Sequence, residues 1–192
     1  MSPTSPIIAF LDANVLYGSE MRNFLMRLAT ADAFSPRWTA KVQDEWGAAL
    51  AKNRPDITPA QIAKIRGLME RHVIGAIVTD YEPLIEQLKL PDPDDRHVLA
   101  AAITSQASIL VTINLSDFPA ATPEPHGIEA LHPDDFVMRL VERDIAPVVK
   151  AAKAHRASLR NPAKTAAEYI ASLERNEFLS IASVLRIHET EI

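Results

Sequence analysis

Asp12 closes the apolar run Ile7–Leu11, and Asn14 follows two positions later. Glu45 lies in QDEWGAAL, Asp95 in PDPDDRHVLAAAI, and Asp117 in VTINLSDFP behind Thr112 and Asn114. Each position has a plain structural reading, because Asp and Asn at strand ends hydrogen-bond their own backbone and an acid in a first helical turn complements the helix dipole. Together they are a set of hard oxygen donors. Acids brought to one edge repel one another, and such clusters persist where a divalent cation neutralises them. An all-oxygen donor set selects Mg2+ or Mn2+.

The elements that must position these groups follow from hydrophobic period. Strand-like runs at 7–11, 73–78, 109–112 and 128–131 alternate with segments of helical period, which predicts an α/β fold with a parallel sheet covered by helices on both faces. Ligands of open α/β sheets bind at the carboxyl edge of the strands, so Asp12, Asn14, Thr112, Asn114 and Asp117 are expected on one rim, with Asp95 reaching it from a helix start. A helical wheel at about 100° per residue separates neighbouring acids: Glu45 borders the stripe Val42, Trp46, Ala49, whereas Asp44 points to solvent. In the same way Asp95 faces inward with Val98, Leu99 and Ala102, and Asp94 lies to one side.

Helix punctuation is equally legible. Thr58, Pro59 and Gln61 read as a capping box with Pro at the first helical position, opening a helix with Ile62, Ile65 and Met69 on its apolar side and forming a helical hairpin with the one before it. Asp92 and Pro93 open a helix running to about Gln106, and Pro133 opens another. Beyond Pro147 the composition shifts to alanine, basic residues and helix formers, broken at Asn161 and Pro162. The expected division is a unit of residues 1–144 and a helical C-terminal extension of residues 145–192.

Composition narrows the class. The chain has 192 residues, 47% hydrophobic and 23% charged, and no stretch approaches the roughly 20 apolar residues of a membrane span. There is no cysteine, which removes disulfides and thiolate metal sites, and the opening MSPTSPII has no leader pattern, so the expectation is cytoplasmic. A net charge of −5 argues against a protein that coats nucleic acid, while leaving room for one that grips it locally. The six histidines show no H-x-x-x-H spacing, which argues against zinc. Trp46 reads as core, and Trp38 could stack on a base.

The series FLDANVLYG, Glu45 in QDEWGAAL, PDPDDRHVLAAAI and VTINLSDFP resembles a PIN-domain ribonuclease, with the spacing of VapC-type toxins of type II toxin–antitoxin systems, over about residues 7–143. The resemblance implies a PIN-like sheet and a catalytic acidic set of Asp12, Glu45, Asp95 and Asp117, with Asn14 and Thr112 as supports. Asp12, Asp95 and Asp117 would be the metal set. Many members carry Asp two residues after the threonine. Here that place is Asn114, with Asp117 three further on, so either could complete the site, and Asp117 is favoured because only it brings charge. The implied chemistry is Mg2+- or Mn2+-assisted hydrolysis of RNA, with Asp12 and Asp95 as primary ligands and Glu45 and Asp117 positioning waters or a second ion. An RNA substrate, a cognate antitoxin and a homodimer follow from the same resemblance.

Two other classes compete. A haloacid-dehalogenase-like phosphatase also opens on a strand ending in Asp, but it requires a second Asp where this chain has Asn14. A PIN fold that binds RNA or acts as a scaffold without catalysis would need no acids, and all four are present. For RNA contacts the candidates are Arg96 beside the acids and a basic strip in the extension. That strip includes Lys150, Lys153, Arg156, Arg160 and Lys164, spaced three or four residues apart.

Overall fold

Ile8–Leu11 forms an interior strand, β1, of a four-stranded all-parallel sheet in the order β2-β1-β3-β4. The computed structural model describes residues 6–192; the leader reading of the first five residues, and the start of the 1–144 unit, lie outside the described residues. After β1 come α1 (Ala13–Tyr17), α2 (Ser19–Thr30), β2 (Ser35–Arg37), α3 (Ala40–Asn53), α4 (Pro59–His72) and α5 (Glu82–Ile85). They are followed by α6 (Arg96–Thr104), β3 (Ile109–Val111), β4 (Glu129–Leu131) and the helices α7 (Pro133–Arg143), α8 (Ile145–Ser158), α9 (Ala166–Arg175) and α10 (Leu179–Ile187). This is the expected α/β arrangement, a parallel sheet flanked by helices with a helical C-terminal region.

Ala9, Phe10, Leu11, Leu110 and Val111 are fully buried, as strands paired on both sides and covered on both faces must be. Helix α6 packs on β1 and β3, and α7 on β3. The Thr58 capping box is present, with both the Thr58 hydroxyl and the Gln61 side chain closing onto backbone amides. Trp46 is core, as read, and Trp38 is fully buried as well, which removes it as a stacking platform.

One strand differs from the sequence reading. Residues 73–78 do not form a strand; only Ile77 bridges, to Trp38, with the Val78 amide donating to the Trp38 carbonyl at 2.8 Å. Gly75 takes a left-handed φ of 78°, and Ile74 is 92% exposed, so the run is broken where an unbroken strand needs extended backbone. The edge place belongs instead to Ser35-Pro36-Arg37, which pairs in parallel with Ile8–Phe10. Proline is tolerated there because an edge strand leaves one side of its ladder unpaired.

The C-terminal helices pack onto the rest of the chain. Helix α8 lies against α2 and α7, and α10 against α7 and α9. Glu20 of α2 receives Lys164 Nζ at 2.9 Å and Asn176 Nδ2 at 2.8 Å. Buried Asp134 caps α10 by accepting from the amides of Ser180 and Ile181 at 2.8 and 3.0 Å. The break expected at Asn161 and Pro162 lies between α8 and α9, so Arg160 and Lys164 leave the helix that carries Lys150, Lys153 and Arg156. Among the described residues no helix is long and apolar enough to cross a membrane.

Candidate active site

Leu11 pairs with Val111, and the ladder continues one step as the Asp12 amide donates to the Val111 carbonyl at 3.1 Å. The Thr112 amide likewise donates to the Leu131 carbonyl at 3.0 Å. Asp12 and Thr112 therefore leave the sheet side by side. From β1 the chain proceeds to β2 on one side, and from β3 it proceeds to β4 on the other. The carboxyl ends of β1 and β3 thus flank the point where strand order reverses, the crevice that α/β sheets use for ligands.

Asp12 is the N-cap of α1 and is only 6% exposed. Its carboxylate accepts from the Ala13 amide at 2.6 Å, from Asn14 Nδ2 at 2.8 Å and from the Thr112 hydroxyl at 2.8 Å. Asn14 also donates to Thr112 Oγ1 at 3.0 Å and accepts from the Ile113 amide at 3.1 Å. The Asn114 amide donates to Thr112 Oγ1 at 3.1 Å. The two strand ends are thereby tied by side chains as well as by the ladder. Asn14 is committed to this bracing, in the place where the phosphatase reading requires a second acid.

The other acids come from three further elements. Asp95 ends a 3-10 turn, Pro93–Asp95, whose N-cap Asp92 accepts from the Asp94 amide at 2.8 Å. Asp95 is half-buried and Asp94 exposed, as the helical wheel requires. Asp117 ends a second 3-10 turn, Leu115–Asp117, and is half-buried beside exposed Asn114. Glu45 is half-buried on α3, whereas Asp44 is exposed and pairs with Arg66 at 2.7 Å.

Electrostatics couple Asp12 to Glu45, and Asp95 to Asp12 and Asp117. Burial raises the Asp12 carboxyl above its ordinary value, hydrogen bonds from Thr112 and Ala13 oppose that, and the charge of Glu45 adds to the rise. Asp95 is pushed up to about 6, first by burial and then by the charges of Asp12, Asp117 and Asp92. The charge that reaches Asp95 from the segment after Thr112 is that of Asp117; Asn114 has none to offer.

His97 is the residue that sequence reasoning passed over. It is 3% exposed, and its Nε2 lies 3.0 Å from Glu45 Oε1. Testing histidines for zinc spacing could not find a role that depends on how α6 meets α3. The basic candidates are placed differently from the acids. Arg96 Nε donates to the Pro93 carbonyl at 2.9 Å. Lys153 and Arg160 are exposed, while Arg156 is half-buried and donates to the Lys164 carbonyl at 3.0 Å. No described contact joins Lys153, Arg156 or Arg160 to the acidic group.

Among the described residues no group of three or more His, Asp or Glu side chains forms a ready cage for an ion. The donor chemistry nonetheless suits a hard cation. Several carboxylates share one partly buried edge, and Asp95 is destabilised as an anion by its neighbours, a condition that a divalent charge would relieve.

A family model described as "PIN domain" matches residues 9–116, a stretch that holds Asp12, Glu45 and Asp95 and stops just before Asp117. A second model, described as "VapC50 C-terminal domain", matches residues 133–187. The chain is 54% identical over 44 residues to a protein of Mycobacterium tuberculosis named "Putative ribonuclease VapC50"; the match covers 23% of this chain and 26% of that relative. The alignment therefore spans about a quarter of the relative's length. No solved structure matches. With more than half of its length matched by the PIN model and its C-terminal helices by the VapC50 model, the chain belongs to the PIN-domain family as a VapC-like member.

Proposed function

We propose that this protein is a metal-dependent endoribonuclease that hydrolyses RNA phosphodiester bonds as the toxin of a type II toxin–antitoxin pair. The observation that carries the reading is Asp95 pushed up by burial and by the charges of Asp12 and Asp117, beside the carboxyl edge where β1 and β3 end. The ribonuclease name of the matched relative supports it.

In this reading Asp12, Asp95 and Asp117 would hold Mg2+ or Mn2+, and Glu45, the fourth catalytic acid, would position the metal's waters or a second ion. The bound cation supplies an activated water and charge stabilisation at the scissile phosphate. Asn14 and Thr112 keep the Asp12 carboxylate oriented through their hydrogen bonds, and Asp117 takes the acidic place that Asn114 leaves open. Arg96, Lys153, Arg156 and Arg160 are the candidates for holding the RNA backbone. The partners are a cognate antitoxin and a second copy of the chain, and the compartment is the cytoplasm. Residues 1–144 form the nuclease unit and 145–192 its helical extension.

The test is cleavage of end-labelled cellular RNA by the purified protein with Mn2+, with EDTA, and with Asp12→Asn. Cleavage that needs the metal and vanishes in the variant is the expected result. Equal cleavage by Asp12→Asn would remove the acidic edge from the chemistry.

A further inference from the structure

His97 opens the first turn of α6, where its neighbours Val98, Leu99 and Ala100 are apolar and buried. Its ring is 3% exposed and its Nδ1 has no hydrogen-bond partner. A buried imidazole with one nitrogen unpaired is a poor choice for packing alone, since an aliphatic residue of similar volume leaves no polar atom stranded. The ring's one polar contact is Nε2 to Glu45 Oε1 at 3.0 Å. The other ion pair of Glu45, Lys41 Nζ at 3.6 Å, falls on the same oxygen. Neither of these two contacts falls on Oε2.

We infer that His97 is a positioning residue that holds Glu45 by Oε1 and keeps Oε2 available to the acidic edge. The inference deepens the nuclease reading and rests on it. The closer contact comes from a ring locked in the core, whereas Lys41 is half-exposed on a flexible stem, so His97 sets the direction of the carboxylate and Lys41 adds charge. The geometry also couples two acids. His97 stands two residues after Asp95, so one short segment delivers an acid to the edge and orients another that arrives from α3. A side chain that orients a carboxylate serving a metal site typically contributes tenfold to a hundredfold in metal affinity or activity.

The test compares His97→Leu, which removes the Nε2 contact and the stranded nitrogen, with His97→Gln, whose amide can reach Oε1 in place of Nε2. Mn2+ affinity by calorimetry and the melting temperature in EDTA are measured for the wild type, both variants, Glu45→Gln and the double variant Glu45→Gln/His97→Leu. The expected result is a roughly tenfold weaker Mn2+ affinity in His97→Leu at an unreduced melting temperature, with recovery in His97→Gln. In the Glu45→Gln background His97→Leu should have no further effect. Wild-type Mn2+ affinity in His97→Leu overturns the assignment, as does an equal loss in His97→Leu and His97→Gln. A further loss in the Glu45→Gln background means that His97 does not act through Glu45. A wild-type protein that binds no Mn2+ fails the nuclease reading itself, and this inference with it.

Discussion

Thr112 donates its hydroxyl to Asp12 Oδ2 at 2.8 Å across 100 residues of sequence, joining the ends of two adjacent parallel strands. Thr112 Oγ1 itself accepts from Asn14 Nδ2 at 3.0 Å and from the Asn114 amide at 3.1 Å. One hydroxyl thus orients a buried carboxylate and the loop that leads to Asp117.

Thr112→Val keeps the shape, strands the Asn114 amide and removes one hydrogen bond each from Asp12 and Asn14. The cost should be about 1–3 kcal/mol, read as a fall of roughly 2–10 °C in melting temperature, and RNA cleavage should drop with it. Thr112→Ser should recover both. A Thr112→Val protein as stable as the wild type would mean that water replaces the hydroxyl at no cost.

Mn2+ should stabilise the folded protein by mass action, and the effect should depend on pH. Asp95 is raised to about 6, so it is largely ionised at pH 7.5 and largely protonated at pH 5. Thermal shift on adding Mn2+ should therefore be larger at pH 7.5 than at pH 5, and absent at both in Asp95→Asn. An equal shift in Asp95→Asn would take that residue out of the ligand set.

His155 predicts a separate acid weakness far from the acids. It is 1% exposed, stacks on Phe24 and lies 3.1 Å from the Tyr169 hydroxyl through Nδ1, and burial holds it down at about 4 against an ordinary value of 6.5. Between those values the unfolded chain binds the proton and the folded one does not, so stability falls as pH drops from 6.5 to 4, by on the order of 3 kcal/mol. Asp95 has the opposite sign, because its raised folded value makes protonation favour the native state. Urea unfolding of wild type and His155→Leu across pH 7.5 to 4.5 isolates the imidazole in the difference. Parallel curves would refute the assignment.

Lys153 and Arg160 are exposed, whereas Arg156 is tied to the Lys164 carbonyl and Lys164 to Glu20. Replacing Lys153 and Arg160 with Gln should weaken RNA binding and lower the slope of log affinity against log salt by about 1.5, without changing Mn2+ affinity. An unchanged slope would leave these two side chains as a solvated face. Arg156→Gln should instead show its effect in thermal stability.

Local patterns were enough to determine β1 and the acid at its end, the Thr58 capping box, the Asp92 N-cap and the separation of Glu45 from Asp44 and Asp95 from Asp94. Each depends on interactions within one element, where period and capping chemistry act directly. Tertiary structure alone decided the rest. Ser35-Pro36-Arg37 has no strand-like composition and becomes β2 because β1 offers it a free edge, while the more apolar 73–78 is broken at Gly75. The burial of Trp38, the diversion of Arg156 and Lys164 into holding the C-terminal helices, and the seating of Glu45 on His97 all depend on which elements meet. Such meetings are set by the packing of whole faces, and the period within one element carries no record of which other element it will meet.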